Sequence, residues 1–292
     1  MESNIDVSGQ GLPKVSIITP LFNGEKYVEA CLTSVARQTY PCIEHLIIDG
    51  CSSDGSLNIV QTYANAHAHI KWISSPDKGI YDAMNKGIAL SQGEWLYFMG
   101  CDDELYEAST IEQIFTQPHV EILDIIYGNV IFKESKRIHA GAYTLDMFMR
   151  DNLCHQSIFT RRRVFDLIGN FELRYKAAAD YVFNLNWFAN RTITHQYVDN
   201  IIAIYNERGF SSNYIEEALM TDKILLFKKL YGSALDLTPV YESIGDLAIR
   251  QIRNGNIWSG IGTLAKVLFK TKTPFLYLKN GLYWLKERAL RG

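Results

Sequence analysis

The 292-residue sequence has no surplus of positive charge: 29 Lys and Arg stand against 32 Asp and Glu, a net charge of −3. A chain-wide nucleic-acid footprint would be basic, so no nucleic-acid partner is expected. The five cysteines, Cys31, Cys42, Cys51, Cys101 and Cys154, form no CxxC pair and are odd in number. That spacing excludes a zinc cluster or a disulfide framework and fits free thiols in a reducing cytoplasm. No run of eighteen uncharged apolar residues occurs, so no membrane span is expected. The opening MESNIDVSGQGLPK lacks a basic start followed by an apolar core, so no signal peptide is expected either. Neither GxGxxG nor GxxxxGK[ST] is present, which excludes a nicotinamide fingerprint and a P-loop. With 47% apolar and 21% charged residues the composition is that of a globular protein.

The first hundred residues alternate between two periods. Val15-Ser16-Ile17-Ile18-Thr19 is a β-branched run stopped by Pro20 and a turn at Asn23-Gly24, and Tyr27, Val28, Cys31, Leu32 and Val35 then recur at helical spacing. A second run, His45-Leu46-Ile47-Ile48, leads into the turn-rich Asp49–Gly55 and a helical segment carrying Leu57, Ile59, Val60 and Tyr63. Ile70–Ile73 reads as a third strand, Ile80–Leu90 as a third helix and Trp95–Met99 as a fourth strand. Strands separated by ten-residue helical patterns predict βαβ units and a mainly parallel sheet. Ile122–Gly128 and Val130–Phe132 read as two further strands, paired antiparallel. Beyond residue 213 the pattern is helical.

Open α/β sheets bind ligands at the carboxyl ends of their strands. Thr19, Asn23, Asp49, Asp54, Asp77, Asp102 and Asp103 all follow such ends. A lone aspartate there caps a helix or forms a turn. Four strand ends carrying them together outline an electronegative rim. Such a rim suits acceptors for a base and ribose, and oxygen ligands for Mg²⁺ or Mn²⁺.

In this order the segments VSIITPLFNGEKYVEACLTSVARQTYPCIEHLIIDGCSSDGS, Asp77–Gly87 and Phe98–Asp103 resemble the inverting family 2 glycosyltransferases, similar to those of bacterial polysaccharide and O-antigen assembly. The resemblance runs from about Lys14 to about Ser211. It implies an α/β GT-A fold, with a mixed, mainly parallel sheet flanked by helices. Domain bounds follow as a tail at 1–13, a catalytic domain at 14–212 and a helical C-terminal region at 213–292. Thr19, Pro20 and Asn23 are implied on a nucleotide-cradling first loop, Asp49 as acceptor for a uracil-like ring, and Asp77 and Lys78 as further donor contacts. Cys101-Asp102-Asp103 lies where the family has its DxD motif, with Gly100 in place of the first aspartate. Asp102 is implied near the ribose, and either Asp103 or Asp102 on a divalent metal. Asp180, within Ala177-Ala178-Ala179-Asp180-Tyr181, is implied as general base, and His155 as a neighbour of the acceptor or the diphosphate. His67 and His69 read as surface residues.

The expected activity is transfer of a sugar from a nucleotide-sugar, a UDP-sugar first, to a hydroxyl of a glycan or lipid-linked acceptor. Two alternatives are a nucleotidyltransferase and a non-catalytic nucleotide-sugar-binding module. From Arg250 onward nine Lys or Arg face one acid, Glu287. Phe275, Leu278, Leu282, Leu285 and Ala289 recur at helical spacing, with Lys279, Lys286, Arg288 and Arg291 on other faces and Tyr277, Tyr283 and Trp284 as amphipathic rings. A basic, aromatic helix of this kind suits a membrane interface, and equally a helix packed on the catalytic domain with its charges solvated. The first option predicts a cytoplasmic enzyme, peripheral on the inner leaflet.

Overall fold

The computed structural model describes residues 11–139, 141–207, 209, 216–272 and 274–289. Four strands, β1 (Val15–Leu21), β2 (Ile43–Asp49), β3 (Ile70–Ser74) and β4 (Trp95–Phe98), pair in parallel in the order β3-β2-β1-β4. Their connections are the helices α1 (Val28–Ala36), α2 (Ser56–Ala66) and α3 (Ile80–Leu90), as the alternating periods predict. The three-and-four spacing of Val28, Cys31, Leu32 and Val35 puts all four on the buried face of α1. Trp95 and Tyr97 of β4, with Phe115 and Phe159, fill the core on one side of the sheet.

Pro20 does not stop β1. It lies inside the strand, opposite Ile48 of β2, beyond the last residue of β1 that pairs with β4. With no strand bonded on that side, its missing N–H breaks no ladder.

The rest of the sheet is mixed. β5 (Glu104–Leu105), β6 (Ile125–Phe132), β7 (Ile138–His139), β8 (Ile158–Arg161) and β9 (His195–Tyr205) complete it. β8 runs antiparallel between β4 and β6, β9 runs parallel to β6, β5 is antiparallel on β9, and β7 hangs on β6. α4 (Thr110–Phe115), α6 (Arg162–Ile168) and α7 (Ala179–Ala189) belong to the same unit.

The two strands expected across 122–132 are one strand, β6. Gly128 lies within it and does not end a strand. A Cβ there would stand 2.6 Å from the Asn200 carbonyl oxygen and 3.1 Å from that of Val198, so the glycine admits the close approach of β9 where the register slips.

The chain divides into two compact units, Met1–Ala142 with Cys154–Ser212, and Tyr143–Leu153 with Asn213–Gly292. The second unit thus takes a segment that the sequence reading left in the first. The cause is α5 (Leu145–Arg150), whose Arg150 meets Glu242 at 2.8 Å on α9 (Thr238–Arg253). α8 (Glu217–Tyr231), α10 (Ile257–Val267) and α11 (Pro274–Ala289) complete this helical unit. Glycines set its spacing: a Cβ on Gly245 would meet the Tyr277 ring at 2.9 Å, and one on Gly260 would meet Ile252 at 2.6 Å. Buried Lys223 donates to Ser243 Oγ at 2.7 Å.

Gly128→Val is expected to lower unfolding free energy by about 1–3 kcal/mol through overpacking at β9. Urea unfolding at constant m-value measures it; an unchanged midpoint contradicts the close approach.

Candidate active site

The loops after β1, β2 and β3 form one end of a site at the carboxyl ends of the parallel strands. Asn23, with a left-handed φ of 51°, ties two of them together. Its N–H donates to Ser52 Oγ and its Oδ1 accepts from the Ser53 N–H, each at 2.8 Å. Asp49 is fully buried and accepts from the N–H groups of Cys51 and Ser52 and from Ser74 Oγ at 2.6 Å. It is the hub of this turn, with its carboxylate held by these donors. Asp77 is half-buried, and a Cβ on Gly50 would lie 2.5 Å from its Oδ2 and 3.4 Å from the Phe22 ring. Glycine at 50 therefore lets Asp77 and Phe22, 65% exposed, converge on the turn.

Thr19 and Pro20 are not on the first loop. Both lie in β1, and Thr19 is fully buried, with Oγ1 2.9 Å from His45 Nε2. Burial holds that imidazole down to about 3, so it is neutral and part of the core. Lys78 is exposed; its backbone N–H donates to Asp82 at 3.0 Å, and its side chain makes no ion pair among the described residues. Of the two histidines read as surface residues, His69 is half-buried and tilted against the His67 ring.

The other end of the site is built on the loop after β4. Asp103 is 2% exposed and fully engaged: Oδ2 accepts from Gln156 Nε2 at 2.8 Å and from Gly100 N–H at 3.2 Å, and Oδ1 accepts from Asn206 N–H at 2.8 Å. Burial, then the negative charge of Asp102, raises its carboxyl to about 7. Asp102 is half-buried; Asn206 Nδ2 donates to its Oδ2 at 3.0 Å, and Oδ1 has no hydrogen-bond partner among the described residues. A Cβ on Gly100 would lie 2.8 Å from a carboxylate oxygen of each aspartate. The replacement of the first aspartate of the motif thus makes room for the remaining pair.

Asp180 opens α7 and is 7% exposed. Tyr81 donates its hydroxyl to Oδ1 at 2.7 Å, and His155 Nδ1 donates to Oδ2 at 3.2 Å. Burial pushes the carboxyl up, but the hydrogen bond and charge of His155 and the Tyr81 hydroxyl outweigh it and leave the group below its ordinary value. His155 Nε2 is buried with no hydrogen-bond partner among the described residues. The short helical turn His155–Ser157 therefore gives His155 to Asp180 and the next residue, Gln156, to Asp103.

Sequence reasoning missed Tyr81, Gln156, Asn206 and Phe22. Tyr81 was within reach: it lies four residues after Asp77 on a segment already singled out, in the first turn of α3. Asn206 gave no signal, because its role depends on β9 returning beside β5.

A divalent ion fits this end on the chemistry of the donors. Two like-charged carboxylates stand side by side, one keeping an oxygen without a donor, and Mg²⁺ or Mn²⁺ takes one or two carboxylates with water and substrate phosphates. Among the described residues no group of three or more His, Cys, Asp or Glu is arranged as a complete metal cage.

Residues 16–179 match the model for Glycosyl transferase family 2. The chain belongs to this family. It is 41% identical over 207 residues to a PGL/p-HBAD biosynthesis glycosyltransferase of Mycobacterium tuberculosis, covering 70% of this chain and 80% of the relative. Among solved structures, S. aureus TarS in complex with UDP-GlcNAc superimposes with a TM-score of 0.63 at 19% identity, covering 88% of this chain and 81% of that one. The mannosyltransferase PcManGT of Pyrobaculum calidifontis, in complex with GDP-Man and Mn²⁺, gives 0.56 at 16% identity, covering 96% and 81%. These likenesses establish the GT-A fold. The enzyme is a glycosyltransferase, which sets aside the nucleotidyltransferase and the non-catalytic module.

The hydroxyl of Tyr81 is one of the groups holding the Asp180 carboxyl low. Tyr81→Phe is expected to raise that pKa, read by carboxyl ¹³C NMR titration against Asp180→Asn as assignment control. An unmoved titration contradicts the hydrogen bond.

Proposed function

We propose that the enzyme transfers a sugar with inversion from a UDP-sugar to a hydroxyl of a glycan or lipid-linked glycan acceptor in cell-surface polysaccharide synthesis. The observation that carries this reading is the buried, ionised Asp180, held by Tyr81 and by His155, whose neighbour Gln156 holds Asp103. Several similar proteins support it: TarS is solved with UDP-GlcNAc, PcManGT with GDP-Man and Mn²⁺, and the mycobacterial relative is named for PGL/p-HBAD biosynthesis.

The base and ribose lie against Phe22, Asp77, Asn23 and Lys78. Asp102 would hold Mn²⁺ or Mg²⁺ through Oδ1, and Asp103 is the buried support that fixes the loop. The metal, when bound, neutralises charge on the departing diphosphate. His155 Nε2, buried and with no hydrogen-bond partner among the described residues, faces the diphosphate or the acceptor. Asp180 accepts the proton of the acceptor hydroxyl as that oxygen attacks the anomeric carbon. The bond from that carbon to the diphosphate breaks on the opposite face, and UDP leaves with the electron pair. Tyr81 and His155 orient the carboxylate and keep it ionised at neutral pH.

The enzyme works in the cytoplasm, peripheral on the inner membrane through its helical C-terminal unit. No helix among the described residues is long and apolar enough to cross a membrane. In α11 Tyr277 is buried, its hydroxyl donating to the Glu242 carbonyl at 3.0 Å, whereas Leu278, Leu282 and Tyr283 are 41%, 66% and 55% exposed. Part of the apolar stripe read from the sequence therefore faces away from the helices that α11 packs on. The side chains of Phe275, Trp284, Leu285, Lys286, Arg288 and Ala289, and all of Arg291, lie outside the described residues.

Loss of the base costs roughly 10²–10⁴-fold in turnover. Asp180→Asn is expected to cut UDP release by that factor in the presence of acceptor while leaving UDP affinity unchanged. Wild-type turnover by the variant contradicts the assignment.

A further inference from the structure

α10 and the short helical turn after it, Leu268–Lys270, carry an apolar face that nothing in their own unit covers. Trp258 is 85% exposed and Phe269 is 87% exposed, the two highest values among the large apolar side chains described. They are not scattered. Trp258, Gly262, Ala265 and Phe269 follow one another at intervals of four, three and four residues, which is one face of a helix. The opposite face, Gly260, Leu264, Val267 and Leu268, is buried against the unit. The outward stripe is thus two aromatic rings roughly 17 Å apart along the axis with small residues between them. A Cβ on Gly262 would meet nothing within 4 Å.

Beside this stripe runs a second one, Ser259, Lys266 and Lys270, offset by about a quarter turn. Lys266 and Lys270 are exposed, and the Lys270 ammonium lies 5.1 Å from the centre of the Tyr241 ring, which fixes it near the helix. No acidic residue occurs from Leu247 through Lys286. Exposed aromatics on a stretch whose charged residues are all cations suit an anionic lipid surface, where Trp and Phe enter the headgroup boundary and lysines meet lipid phosphates.

We propose that Trp258 and Phe269 are membrane anchors that seat α10 on an anionic lipid interface, with Lys266 and Lys270 on the headgroups. The inference rests on the membrane association proposed above and moves its main contact from the apolar stripe of α11 to α10. It is independent of the transfer chemistry.

Flotation of the full chain with vesicles of phosphatidylcholine alone, and of equal parts phosphatidylcholine and phosphatidylglycerol, tests it. The wild type is expected to float with the anionic vesicles only. Trp258→Ser with Phe269→Ser is expected to weaken that binding by about tenfold or more, each exposed aromatic supplying part of the buried apolar area. Lys266→Glu, which leaves the apolar stripe intact, is expected to weaken it as well. Unchanged circular dichroism and UDP affinity in the variants show that the fold is kept. Equal binding by wild type and aromatic double variant overturns the α10 contact while membrane association stands. Absence of wild-type binding to either vesicle overturns both. Equal binding to the two vesicle types overturns the anionic surface. A wild-type dimer in light scattering that becomes a monomer in the double variant shows that a second copy covers the face, and overturns the lipid.

Discussion

A carboxylate withdrawn from water must be met by donors, and the donors that meet Asp103 hold the reacting end of this site together. Gly100 comes from the loop after β4, Gln156 from the turn before β8 and Asn206 from the end of β9. One side chain thus joins three segments that are distant in sequence and adjacent at the carboxyl ends of the sheet. A buried acid loses stability when any donor is removed, because the desolvation cost stays. The other placements follow from that anchor. Asp102 lies beside it and shares Asn206 as a donor, and Gln156 brings His155 with it to Asp180.

Much of the fold was legible in the sequence. α3 and the first three strands fall where the alternation of two- and three-to-four-residue periods puts them, because parallel strands and their crossover helices are local patterns. The misreadings share one cause. Pro20 looked like a strand stop and Gly128 like the end of one strand before another, but each was decided by a neighbouring strand: β4 ends before Pro20, and β9 presses on Gly128. α5 likewise joined the helical unit through Arg150 and Glu242, a pairing with no local signal.

The site was legible as a set of residue types at strand ends, and less so as a division of labour. Acidic and amide residues collected on the rim as expected, yet the sequence could not separate those facing outward from those holding the loops. Asp49 and Asp103 are buried hubs, while Asp77 and Asp102 are half-buried. The difference is burial, set by backbone N–H groups and by Ser74, Gln156 and Asn206. Tyr81 shows the converse: a ring on an amphipathic helix looks like core, and it is, but its hydroxyl reaches Asp180.

The central claim is that Asp103 supports and Asp102 receives. Isothermal titration of UDP into wild type and Asp102→Asn, each with and without Mn²⁺, tests it most directly. The account predicts that the variant melts like wild type and binds UDP with an affinity that Mn²⁺ no longer improves. An Asp102→Asn variant in which Mn²⁺ improves UDP affinity as much as in wild type would contradict it and place the ion on Asp103.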